Sequence, residues 1–200
     1  MAADSEIVKE LEQEAKKKGY TMYAITNLAL KSLVKLLKSG EDATTLEKLV
    51  NLYLLTKSID TLPVPLWFLE SVIKLLYEKD KKAYTEFCEA AGTQLAIFLK
   101  SRAHDIYELI KLYSDVKGVF PLKEFYISEE NGGNLNIRIT GTGFSQESTE
   151  CAYYALKKIL ASYDIQVIKE SISPSIISLT AKYYGQLSNI LHADNTLHTT

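Results

Sequence analysis

Residues 120–140 read FPLKEFYISEENGGNLNIRIT, and the hydrophobic period of the chain changes within them. Before Pro121, apolar residues recur about every 3.6 residues, which is typical of amphipathic helices. After it the period falls to about two, and Leu135, Ile137 and Ile139 alternate with polar residues. Such alternation predicts a strand with one buried and one exposed face. The sequence therefore divides into a helical part and a strand-rich part.

Six helices are predicted ahead of this change. Gly19, Gly40, Pro63 and Pro65 mark breaks between them. The second helix begins after a Thr21 cap, and its apolar face is too wide for a helix that is covered on one side only. We therefore expect it to be buried on two sides, by its own fold or by a partner. The predicted helices span about residues 5–18, 22–38, 44–58, 66–78, 81–102 and 106–113.

The strand-rich part is predicted to follow the order ββαββ. A turn at Gly132-Gly133 joins the first two strands, and a helix capped by Ser145 follows them. Two further strands, at about residues 165–171 and 175–183, meet at a turn around Pro174. The expected fold class is α+β, with about six N-terminal helices followed by a ββαββ antiparallel sheet unit.

Charge is balanced along the chain. Residues 1–120 carry 17 basic and 17 acidic side chains, residues 121–200 carry 6 and 8, and the net charge is −2. This balance argues against a protein that binds nucleic acid over its whole surface. No leader with a basic start is visible, and no run approaches the ~20 apolar residues of a membrane span. We expect a cytoplasmic protein, whose composition resembles that of a thermophile.

Cys88 and Cys151 are the two cysteines of the chain. Both lie in apolar, helical contexts, whereas a secreted disulfide scaffold of this size would carry more cysteines. We therefore predict that both are core thiols in a reducing, intracellular compartment. A nucleophilic role for Cys88 is disfavoured because no histidine lies close to it in sequence, although His104 could approach it in space.

Two other features have plain interpretations. His104, His192 and His198 lack a second ligand at metal-binding spacing, so no metal site is expected. Gly141-Thr142-Gly143 lacks the third glycine of a dinucleotide fingerprint, which favours a strand-to-helix turn over a phosphate loop. We expect no cofactor and no catalytic residues, and an enzyme is the least favoured class.

A lysine-rich surface is one candidate site. Lys16, Lys17 and Lys18 end the first helix, and Lys31 and Lys35 follow on the second. They could contact phosphates, or they could form a solvated helix face, since glutamates offset the charge of the first helix.

Residues 6–38 resemble the helix pair of a ribbon-helix-helix repressor. A charged helix, an Ala-Lys-Lys boundary, the Thr21 cap and an apolar second helix follow in the same order. The resemblance implies a dimer that reads DNA through an N-terminal strand. This chain has only Met1 to Asp4 in the place of that strand, so the resemblance supports dimerisation more than base reading.

Gly92 marks a second candidate site, inside the fifth helix. Glycine in a helix costs about 1 kcal/mol relative to alanine, so we expect another element or a ligand to approach closely there. Tyr84, Phe87, Cys88 and Leu95 surround it in sequence. They are either core residues or, with Gly92, the lining of an apolar pocket.

The order of elements over about residues 83–183, with Gly92 in a long helix, resembles the 4-vinyl-reductase domain and the transport-protein-particle subunits. The resemblance implies a dimer that binds small hydrophobic or tetrapyrrole-like ligands, as in nitric-oxide signalling and Golgi transport, or that serves as a scaffold. Residues 169–175 lack the cysteines that some members carry. The Tyr-x-Ser-x-Arg pattern of the related haem sensors is absent too, so haem is not expected.

Three parts are predicted: an N-terminal helical module at residues 1–62, a helical layer with the sheet at 63–184, and a mobile tail at 185–200. The expected function is that of a non-enzymatic, dimeric regulatory or ligand-binding protein with an apolar small-molecule pocket. The alternative is a DNA-binding transcription regulator that uses the N-terminal helix pair. The expected partners are a second copy of the chain and a hydrophobic small molecule.

Overall fold

A computed structural model describes residues 4–57, 64–118, 122–130, 134–141 and 145–184. It confirms the α+β class, because six helices precede a ββαββ unit. The elements are α1 (Ser5–Lys17), α2 (Met22–Lys38), α3 (Thr44–Thr56), α4 (Leu66–Lys79), α5 (Lys81–Lys100), α6 (Ile106–Val116), β1 (Leu122–Glu130), β2 (Asn134–Gly141), α7 (Gln146–Ser162), β3 (Ile165–Ser173) and β4 (Ile176–Tyr183).

Short-range signals set the helix ends. The Asp4 carboxylate accepts a hydrogen bond from the first turn of α1, and the Thr21 and Ser145 hydroxyls do the same for α2 and α7. Such caps satisfy backbone N–H groups that have no partner within the helix. Gly19 and Gly40 follow α1 and α2 at φ values of 74° and 86°, where a side chain would be strained. The predicted caps at Thr21 and Ser145 are therefore confirmed.

The four strands form one antiparallel sheet in the order β1-β2-β4-β3. Ile137 lies opposite Leu179 at its centre, and the alternating apolar residues of β2 and β4 point to the same face. That face is covered by α7, and α5 packs on α7. Six inward residues of the two central strands are buried: Leu135, Ile137, Ile139, Ile177, Leu179 and Ala181.

The chain divides into two compact units, Met1–Val50 and Asn51–Thr200. In the described part of the first unit, Ala15 is the one buried residue. The second unit contains the main hydrophobic core and the sheet. The boundary expected near residue 62 lies among residues 58–63, outside the described ranges, and so do the Gly132-Gly133 turn and the tail predicted at 185–200.

Cys88 and Cys151 form a disulfide, so the prediction that both are free core thiols is wrong. The bond joins α5 to α7 across 63 residues of sequence, with the two Cα atoms 5.1 Å apart. Periodicity puts each cysteine on an apolar helix face, but it does not reveal that these two faces meet. The expectation of a reducing compartment rested on unpaired thiols, and it loses that support.

Candidate ligand-binding site

Gly92 lies where α5 and α7 approach each other closely. A Cβ atom added to Gly92 would lie 2.4 Å from both the Cα and the carbonyl oxygen of Ala155. Any side chain there would overlap the backbone of α7. The expected close approach is confirmed, and the approaching element is a helix.

The residues that precede Gly92 belong to the same helix contact. Tyr84 is fully buried, and its hydroxyl donates a hydrogen bond to the carbonyl oxygen of Glu147 at 2.5 Å. Burial is the main cause that raises the pKa of Tyr84, and the nearby charge of Glu150 adds to it. Cys88 lies in the same small cluster with Ile73 and Cys151. Tyr84 and Cys88 therefore hold α5 against α7.

A cavity of about 210 Å³ opens beside this contact, between α7 and the inner face of the sheet. Most of its wall is aliphatic. Its two polar side chains are Thr149 and Ser175. The Thr149 hydroxyl donates to the carbonyl oxygen of Ser145 at 2.7 Å and accepts from the Ser175 amide at 3.0 Å. The lining side chains include Leu95, Leu122, Ile139, Ala152, Leu156 and Ile177.

Chemically, this cavity suits an apolar group and offers little to a polar one. The Thr149 hydroxyl is already used within the fold, so a polar ligand would lose hydrogen bonds to water and gain few. An apolar ligand would be transferred from water onto aliphatic carbon, which is favourable in proportion to the area buried.

The five predicted pocket residues do not line one common pocket in the structure. Leu95 lines the cavity, whereas Tyr84, Cys88 and Gly92 lie in the α5–α7 contact and Phe87 is 54% exposed. Sequence reasoning missed the α7 side of the cavity. Small residues three apart, Ala152 and Ala155, were the available signal, because they leave room beside a helix.

The predicted lysine surface is partly neutralised. Lys16 pairs with Glu12 at 3.0 Å and Lys17 with Glu14 at 2.6 Å, one helical turn away in each case. Lys18, Lys31 and Lys35 are exposed and form no ion pair with the described residues. Lys9 and Lys38 of the same two helices are also exposed and form no ion pair with the described residues, so these five lysines carry positive charge that an anion could contact.

The other groups with strongly shifted pKa values are tyrosines. Burial raises the pKa of Tyr153 and of Tyr163 to about 12, and nearby carboxylates add to the effect. The Tyr163 hydroxyl donates to the carbonyl oxygen of Ala103 at 3.0 Å. Within the described ranges, no group of three or more His, Cys, Asp or Glu side chains could hold a metal ion. His192 and His198 lie outside those ranges.

None of the helices in the described part of the chain combines the length and the apolar character needed to cross a bilayer. No protein-family model, no curated protein and no solved structure matches the chain. The resemblances to ribbon-helix-helix repressors and to 4-vinyl-reductase domains therefore stay predictions. They rest on the residues and on the order of elements given above.

Proposed function

We propose that this chain is a non-enzymatic, dimeric regulatory protein that binds a small apolar ligand in the cavity between α7 and the sheet. The observation that carries the proposal is the aliphatic lining of that cavity, where the hydroxyl of Thr149 is already hydrogen-bonded within the fold.

The size of the cavity limits the ligand. Engineered apolar cavities of about 150 Å³ stay dry and take up benzene. A cavity of about 210 Å³ suits one aromatic ring with a short substituent, or a branched alkyl group. Such a small ligand gains at most about 1.5 kcal/mol per non-hydrogen atom, so we expect moderate affinity.

The cavity is tested by filling it. Ala152→Leu adds three carbons at its wall. Ala161→Leu makes the same change at another exposed position of the same helix, outside the cavity lining. Titration with benzene is monitored by methyl NMR. It should shift the methyl signals of Ile139 and Ile177 in the unaltered protein and in Ala161→Leu. Ala152→Leu should abolish these shifts. The proposal fails if benzene moves only exposed methyl groups, or if Ala152→Leu still responds.

The homodimer in this proposal is supported by apolar surface on the helices. No residue of α2 is buried within the chain, and Leu28 and Val34 are 61% and 48% exposed. Trp67 of α4 is 68% exposed. Exposed apolar side chains on one helix face are typical of protein interfaces. A second copy of the chain that met the first through α2, or through α4, would bury them.

We also propose a second candidate function, DNA binding through the N-terminal helix pair. It is favoured by Lys18, Lys31 and Lys35, which are exposed and form no ion pair with the described residues. Such lysines are free to contact phosphates. A gel shift that weakens with salt should be lost in Lys31→Glu with Lys35→Glu, and kept in the matched control Lys111→Glu with Lys157→Glu. Retention of the shift in the first variant would exclude this surface.

A further inference from the structure

The outer face of the sheet carries a depression of about 400 Å³, on the side opposite α7. The strand register defines two rows of side chains across it. One row is Tyr126, Arg138, Ser178 and Ser171; the next is Ser128, Asn136, Thr180 and Lys169. Small hydroxyl residues of the central strand β4 form the floor. The long side chains of Arg138 on β2 and Lys169 on β3 flank it.

The two cations of this depression and the hydroxyls of its floor have no partner in the part of the chain that the structure describes. Neither Arg138 nor Lys169 makes a hydrogen bond or an ion pair with the described residues, and the same holds for the side-chain hydroxyls of Ser178 and Thr180. In the flanking rows, by contrast, polar side chains form hydrogen bonds with one another. Thr140, for example, donates a hydrogen bond to Glu124 at 3.3 Å. Hydrogen-bonding capacity is thus left open in the middle of the sheet.

The acidic residues nearby do not cancel the positive charge. Glu130 and Glu124 do not line the depression: they lie in the rows on either side of it, on the edge strand β1, and accept hydrogen bonds from Asn136 and Thr140. Glu170 borders the depression, but it lies opposite the inward-facing Leu179 and interacts by a hydrogen bond with Tyr153 of α7. Arg138 and Lys169 therefore give the outer face a local positive charge, although the chain as a whole is acidic.

We propose that this depression binds a small phosphorylated sugar. The planar fork of Arg138 matches a phosphate in a bidentate manner, and Lys169 adds a second positive charge from the neighbouring row. The hydroxyls of Ser171, Ser178 and Thr180 offer donors and acceptors to the hydroxyl groups of a sugar.

The size and charge of the depression favour this ligand over a nucleic acid. Its volume lies within the range of about 300–1,000 Å³ for small-molecule sites. A β-sheet that binds single-stranded nucleic acid stacks successive bases on several aromatic side chains. Here Tyr126 is the one aromatic residue in the lining. The site is separate from the apolar cavity, which lies on the other face of the sheet.

Amide NMR titration of the full chain tests the proposal, with glucose phosphate, glucose and inorganic phosphate as three separate probes. Glucose phosphate should shift the amides of Arg138, Ser178 and Thr180 and should bind at least about tenfold more tightly than either other probe, because both halves of the ligand are recognised. Arg138→Gln should weaken its binding about tenfold or more, and Lys169→Gln several-fold. Lys157→Gln makes the same change at an exposed position of α7 and should leave the affinity for glucose phosphate unchanged.

Four results would overturn the proposal. The first is that glucose phosphate leaves these amides unmoved, and the second is that it binds no better than inorganic phosphate, which would indicate simple ion attraction. Equal weakening in Lys157→Gln would indicate an effect of net charge. A short single-stranded oligonucleotide that binds more tightly than glucose phosphate at this face would replace the sugar site by a nucleic-acid site.

Discussion

The two compact units of this chain differ in how far they bury their apolar side chains. The second, Asn51–Thr200, encloses a hydrophobic core between α5, α7 and the sheet, and a disulfide joins the two helices. The first, Met1–Val50, has a comparably apolar helix in α2, yet that helix has no buried residue. Burial of one large apolar side chain contributes about 1.5–3 kcal/mol. The second unit gains this energy from its own core, whereas the first leaves it available to a partner.

The largest expected effect comes from removing the disulfide, which belongs to the second unit alone. Chain-entropy arguments give about 4 kcal/mol for a bond that closes a loop of this length, 63 residues in sequence. Cys88→Ser with Cys151→Ser should lower the free energy of unfolding by about that amount in urea denaturation. Addition of a dithiol reductant should lower the stability of the unaltered protein and leave the variant unchanged. Equal denaturation midpoints with and without reductant would contradict the bond.

A smaller effect is expected from Gly92→Ala. Helix propensity alone predicts stabilisation by about 1 kcal/mol. The new Cβ would overlap the backbone of Ala155, and we expect this overlap to dominate, with a loss of about 3 kcal/mol. Thr93→Ala, at the exposed neighbouring position, is the control and should change stability by less than about 0.5 kcal/mol. A more stable Gly92→Ala protein would mean that α5 and α7 do not meet here.

The next largest effect is expected at alkaline pH, which should lower the free energy of unfolding of the second unit. The pKa of Tyr163 is raised to about 12 by burial, so the folded state favours the neutral phenol. This contribution to stability is complete below about pH 10, the ordinary pKa, and is lost as the pH rises toward 12. Tyr163→Phe should cost about 1–2 kcal/mol at neutral pH, because the carbonyl of Ala103 loses its donor. It should also flatten the fall in stability between pH 10 and 12, measured by urea denaturation. An unchanged slope would assign the alkaline transition to other tyrosines.

The smallest effect on the second unit should come from changing the first. Leu28→Glu with Val34→Glu puts charge on the exposed apolar face of α2 and should convert a dimer to a monomer in analytical ultracentrifugation. Because each chain contains the core of the second unit, its free energy of unfolding should change by less than about 0.5 kcal/mol. Thr26→Glu with Ser32→Glu, which adds the same two negative charges at other exposed positions of α2, is the matched control. Both variants should be compared with the unaltered chain, and a dimer that survives the first would move the interface elsewhere.

Local chemistry made much of the fold predictable. The caps at Thr21 and Ser145 and the alternation of Leu135, Ile137 and Ile139 depend on neighbours within a few residues, so the sequence states them directly. The predicted bounds are close to the observed ones, and α6 extends from the predicted 106–113 to Val116. Gly92 was correctly taken as a point of close approach.

The candidate sites were harder to predict because they join distant segments. Leu95 was predicted, but the cavity also needs Ala152 from α7 and Ile177 from β4, and no periodicity relates the three. The depression on the outer face depends on a register that puts Arg138 beside Ser178 and Lys169 beside Thr180. Each of these residues alone looks like ordinary strand surface.

The sequence by itself therefore determined the element types, their order and the α+β class, because helix and strand periods and caps are properties of neighbouring residues. Only the tertiary structure decided that Cys88 meets Cys151, that Gly92 faces Ala155, and that the two faces of the sheet carry an apolar cavity and a cationic depression. These are pairings between residues far apart in the chain. They follow from which helix and strand faces pack together, and a pattern along one segment carries no information about its partner.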